Sequence, residues 1–145
     1  HNVCSFQDTT NFKQTSIDFQ LCVPNPKPDI EQIVRVKVDK EYIKTKIVKT
    51  PIGKSLEGQI VTGYKALIMA DIILKITYVA DKKTQSVHSF HTTLPFCEYV
   101  VLPEKFNTLG VVTPQIYIED IYITQCDNRC LYGNITIMTV AEPCS

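Results

Sequence analysis

The residues most able to do chemistry are two histidines and six cysteines. His88, His91 and Cys97 fall within ten positions of one another, a grouping that could ligate zinc or arm a thiol nucleophile. Cys4, Cys22, Cys97, Cys126, Cys130 and Cys144 make an even set with fifteen possible complete pairings, and spacing alone does not choose among them. Cys126 and Cys130 form C-x3-C rather than the C-x2-C of redox or zinc-ribbon motifs, and no second such pair is present. They bracket a loop between two clear strands, 115–125 and 131–141. There they either close a small ring across the loop or bond elsewhere.

The elements that must position these side chains read as β-strands. On a strand, positions three apart face opposite ways, so His88 and His91 are not expected to share a metal. No Ser, His and Asp arrangement is evident, and no GxSxG, HExxH or phosphate-binding glycine loop occurs. The expectation is therefore a protein that is not an enzyme, with no metal and no cofactor. The Asn134-Ile-Thr sequon lies inside a strand and is expected to carry no glycan; Glu119, Asp120, Asp18 and Asp29 are read as surface charge.

At 145 residues with 44% hydrophobic side chains the chain fits one domain with a real core. Fifteen basic residues balance fifteen acidic ones, which leaves no excess positive charge for nucleic acid. No run approaches the roughly 18 apolar residues of a membrane-spanning helix. A net charge near zero permits copies to associate.

β-branched and aromatic runs broken by turn signals about every ten residues predict an all-β antiparallel sandwich, jelly-roll-like, of seven to nine strands. Residues 1–16 are polar and read as an N-terminal extension, an arm able to reach a neighbour; residues 17–145 form the sandwich. Ile17, Phe19, Leu21 and Val23 should face the core, with Cys22 on the other face. A helical turn is expected at Ile30 to Ile33. Phase changes predict β-bulges near Ala70 and Asp71 and at Glu119 and Asp120. Pro95 should separate strands 87–94 and 96–102.

Three stretches, KPDIEQIVRV at 27–36, GQIVTGYKALIMADIILKITYVAD at 58–81 and SVHSFHTTLPFCEYVVLP at 86–103, resemble the SPOCS domain of spore-envelope proteins of Firmicutes, over roughly residues 27–141. The resemblance implies a module used for self-association or partner docking at the spore surface, as coat, exosporium or appendage, with no catalytic residues to carry over. Adaptors of this family carry a LysM-like peptidoglycan-binding segment after the domain. None is seen here, while six cysteines are, so the expectation is a structural subunit that binds copies of itself and possibly other spore-envelope proteins.

A domain of this size does not need disulfides to fold, which points to their use between chains. Cys4, Cys126, Cys130 and Cys144 are the expected cross-linking set, and Cys4 and Cys144 lie near the chain ends, where a compact fold leaves residues exposed. The alternative is a non-polymerising adaptor that docks a protein partner.

Overall fold

The computed structural model describes residues 11–49, 53–54, 60–61, 63–102 and 111–144. Six long strands carry the fold: β1 (Asn11–Cys22), β2 (Ile30–Lys49), β5 (Tyr64–Ala80), β6 (Val87–Val101), β7 (Val111–Gln125) and β8 (Cys130–Cys144). Two short strands, β3 (Gly53–Lys54) and β4 (Ile60–Val61), pair as a separate ribbon. Six long strands replace the seven to nine expected, because segments that read as two strands each are single continuous ones.

The long strands form two antiparallel three-stranded sheets, β1-β8-β7 and β2-β5-β6, packed as a sandwich. The chain changes sheet between β1 and β2 and again between β6 and β7. The first and last strands therefore become neighbours, paired from Asn11 opposite Ala141 to Cys22 opposite Cys130.

Alternation fixes which faces meet. In β5 every even residue from Ala66 to Ala80 is buried, and Ile68, Ile72, Leu74, Ile76 and Tyr78 are among the largest fully buried side chains. Across the interior stand Phe19, Leu21, Ile116, Leu131, Ile135 and Ile137. Each such side chain contributes about 1.5–3 kcal/mol by leaving water. Ile17, Phe19, Leu21 and Val23 do face the core, and Cys22 is exposed.

Several expectations need correction. The bulge placed at Ala70 and Asp71 is absent: β5 keeps one phase throughout, Ala66, Ile68 and Ala70 continuing inward while Leu67 and Met69 sit half-buried on the outer face. The irregularities lie in its partner β2, whose register shifts at Ile30/Gln32, Ile33/Arg35 and Glu41/Lys44. Ile30 to Ile33 is strand, not a helical turn. Pro95 does not divide β6, because β6 is an edge strand and an edge position tolerates a missing N–H. The bulge at Glu119 and Asp120 is present, between Ile118 and Asp120, and returns Ile121 and Ile123 to the core.

The expected boundary between residues 16 and 17 has no counterpart in β1, which runs through it. Residues 11–16 pair with Thr136 to Ala141 of the same chain. Residues 1–10 of the expected arm lie outside the described residues.

Candidate functional site

The structure brings three of the six cysteines together at one end of the first sheet. β1 ends where β8 begins, so Cys22 lies directly opposite Cys130 with their Cα atoms 4.0 Å apart, and the two are joined by a disulfide. The bond links positions 108 apart. In the chain-entropy account, closing a loop of that size stabilises the fold by about 4–5 kcal/mol. Cys130 is therefore committed within its own chain, which removes it from the expected cross-linking set and rules out the small Cys126–Cys130 ring in this state.

Cys126 stands on the other side of Cys130. β7 and β8 form a hairpin whose ladder runs to Gln125 opposite Leu131, and one step further the Cys126 N–H donates to the Cys130 carbonyl at 2.9 Å. Residues opposite one another in an antiparallel ladder share a face. Cys22, Cys130 and Cys126 thus form a row across β1, β8 and the end of β7, with Cys126 a free, exposed thiol.

The loop between Cys126 and Cys130 is held rigidly. Asp127 accepts from the N–H groups of Arg129 and Cys130, both at 2.7 Å. Arg129 reaches out of the hairpin to the connection between the sheets: its guanidinium pairs with Asp29 at 2.6 Å and donates to the Val23 carbonyl at 3.0 Å and to Asn25 Oδ1 at 3.2 Å. Asn128 donates to the other Asp29 oxygen at 3.0 Å, and Gln125 to the Ile30 carbonyl at 3.2 Å. Backbone bonds from Val23 to Arg129 and from Ile30 to Asn128 complete the corner.

Beneath it Tyr78 donates its hydroxyl to the Pro28 carbonyl at 2.8 Å. Burial raises the pKa of that hydroxyl; the Arg129 charge pulls it down and Asp29 pushes it up again. Sequence reasoning treated Asp29 as surface charge and did not single out Arg129. The available signal was the polar loop CDNRC facing the proline-fixed segment PNPKPD, two stretches with nothing apolar to hold them.

Cys97 lies apart, on the outer face of the second sheet. It is free and exposed, opposite Met69, which in turn is opposite Lys44. Cys4 and the Cys144 side chain lie outside the described residues; the Cys144 backbone ends β8 opposite Val111. At about 3.4 Å per residue, that is some 48 Å along β8 from the Cys22–Cys130 bond.

The histidines fall on opposite faces, as their spacing predicts. His88 stacks on Tyr78 with ring centroids 5.8 Å apart and shares a 2.9 Å hydrogen bond with Ser86, whereas His91 is exposed opposite Lys75. Among the described residues no three of His, Cys, Asp and Glu converge as a metal site, and no helix is long and apolar enough to cross a membrane. Asn134 lies within β8, its amide donating to Ser16 and Asp18 at 2.7 Å each.

The sheet edges are tied by side chains. On one side Glu98 of β6 takes Lys13 of β1 at 2.9 Å and the Thr15 hydroxyl at 2.9 Å. On the other, Lys40 of β2 donates to the Ile116 carbonyl of β7 and lies over the Tyr117 ring.

Fold and site together define a two-sheet β-sandwich, stapled between its first and last strands and carrying free surface thiols. The family model described as SipL, SPOCS domain, matches residues 29–126, and the chain belongs to that family. SPOCS is a sporulation-associated domain family. Neither the curated proteins nor the solved structures gave a match.

Proposed function

We propose that the chain is a self-assembling structural subunit of an endospore surface structure, a coat or exosporium layer or an appendage fibre. Its copies are joined by β-strand contacts and by disulfides between chains. The observation that carries this reading is the pair of exposed free thiols, Cys97 and Cys126, on different sheets of a sporulation-associated domain. The core and the Cys22–Cys130 bond already hold the fold, so thiols left on the surface are available to neighbours. Cys4 and Cys144 belong to the same proposed set. The role involves no catalytic step.

The test is electrophoresis of the purified chain with and without reductant, beside negative-stain images of the same samples. A reductant-sensitive ladder with ordered polymers supports the reading, and Cys97→Ser and Cys126→Ser should each shorten the ladder. A single band at 16.5 kDa without polymers would refute it.

A second reading, a spore-coat adaptor that docks a protein partner without polymerising, is favoured by the β2 edge. Its three register shifts, with Lys37, Lys40, Lys44, Lys46 and Lys49 along it, oppose strand addition there. Tyr42, at φ 54°, turns that edge out of the ladder. A uniformly monomeric chain that captures one coat component would select the adaptor.

A further inference from the structure

The cysteine row has a chemical consequence that goes beyond the assembly reading and holds whether or not the chain polymerises. Cys130 is the middle member, bonded to Cys22 on one side and hydrogen-bonded through its backbone to Cys126 on the other. We propose that the row is a site of internal thiol–disulfide exchange, in which Cys126 displaces Cys22 from Cys130.

The geometry supplies what displacement at sulfur requires. Exchange proceeds by attack of a thiolate on one sulfur of a disulfide, with the other sulfur leaving. Here the attacking residue, the attacked residue and the leaving residue occupy three adjacent strand ends in that order, so Cys126 approaches Cys130 from the side away from Cys22. The bond from the Cys126 N–H to the Cys130 carbonyl sets the two residues side by side at about the spacing of neighbouring strands, ~4.8 Å, which is within the separation that disulfides ordinarily span. The loop bonds from Asp127 and Arg129 hold the hairpin end in place.

The step balances without an added oxidant. Cys126 gives its thiol proton to solvent, and its thiolate attacks the Cys130 sulfur. The Cys126–Cys130 bond forms as the Cys22–Cys130 bond breaks, and Cys22 leaves as thiolate and takes a proton. Cys126 is oxidised and Cys22 reduced, and the chain still holds one disulfide and one thiol in the row. What changes is where the thiol stands. It passes from the end of β7 to the end of β1, from one edge of the sheet to the other, about 10 Å at the usual strand spacing.

The test uses the full chain, oxidised and then freed of all small thiols. It is incubated near the ordinary cysteine pKa of about 8.5, then acid-quenched, alkylated and digested. Trypsin cleaves after Lys13 and Arg129 and so places Cys22, Cys126 and Cys130 on separate peptides, with fragmentation distinguishing Cys130 from Cys144. The expected result is a Cys126–Cys130 linkage that appears together with alkylated Cys22, at a rate unchanged by tenfold dilution. The Cys97→Ser chain should behave identically, and mild oxidation of Cys22→Ser should form Cys126–Cys130 directly. Cys130 found linked to Cys22 alone throughout, with Cys126 always alkylated, would overturn the proposal. So would a rate proportional to protein concentration, or a Cys22→Ser chain that keeps both remaining row cysteines as thiols.

Discussion

Arg129 and Asp29, 100 positions apart, meet at 2.6 Å and lock the β7–β8 hairpin of one sheet onto the connection that leads to the other. The guanidinium also satisfies the Val23 carbonyl, a group that no ladder partner reaches after β1 ends. Two polar loops are thereby made part of the folded unit.

Replacing Arg129 by Ala should lower unfolding stability by about 1.5–3 kcal/mol, the range for losing charge-assisted hydrogen bonds whose acceptors remain. Arg129→Lys should recover only part, because an ammonium cannot span Asp29 and the Val23 carbonyl as the planar fork does. Denaturant unfolding of the three proteins checks this. An Arg129→Ala midpoint equal to that of the parent would show that the corner contributes nothing.

Phe19 lies over Gly133, its β8 partner, so closely that a Cβ added at Gly133 would overlap the ring. Gly133→Ala should therefore cost about 1–3 kcal/mol through displacement of the ring. The same substitution in a Phe19→Leu background should cost less. Additive losses in that double-mutant cycle would contradict the contact.

Glu98 ties the β1 and β6 edges and is only 16% exposed. Burial raises its pKa, but hydrogen bonds from Lys13, Thr15 and the Tyr99 N–H, with the Lys13 charge, outweigh burial and hold it below the ordinary 4.5. The folded state therefore binds this proton less readily than the unfolded one. Its contribution is complete above pH 4.5 and disappears as pH falls through the lowered folded value. Glu98→Gln should be less stable than the parent at neutral pH, and the gap should narrow on acidification. A gap constant from neutral pH to pH 3 would remove Glu98 from the account.

Much of the sandwich was legible because one rule, alternation, governs both sheets. Ile17 to Val23 and the bulge at Glu119 could be read directly, since each places its apolar residues unambiguously. The bulge wrongly expected at Ala70 shows the limit of the rule. Leu67 and Met69 are as apolar as core residues but lie on an outer face, while two alanines and Ile68 carry the inward phase.

The cysteine site was legible only in its parts. Cys22 was placed on the outer face and Cys126 and Cys130 at a hairpin, but the Cys22–Cys130 bond depends on the first and last strands being neighbours. That is a property of the chain's path between sheets, and no local pattern encodes it. Arg129 was missed for the same reason, since its partners Val23, Asn25 and Asp29 are 106, 104 and 100 positions away.

Covalent joining of copies is the central claim, and isotope mixing measures it most directly. Reduced chains grown with ordinary and with heavy nitrogen are combined in equal amounts, allowed to oxidise and assemble, and mapped by their disulfide-linked peptides. The account predicts hybrid pairs, one light and one heavy peptide, at linkages that include Cys97 or Cys126, while Cys22–Cys130 pairs remain purely light or purely heavy. A map in which every linked pair carries a single label would contradict it, because all the disulfides would then lie within single chains.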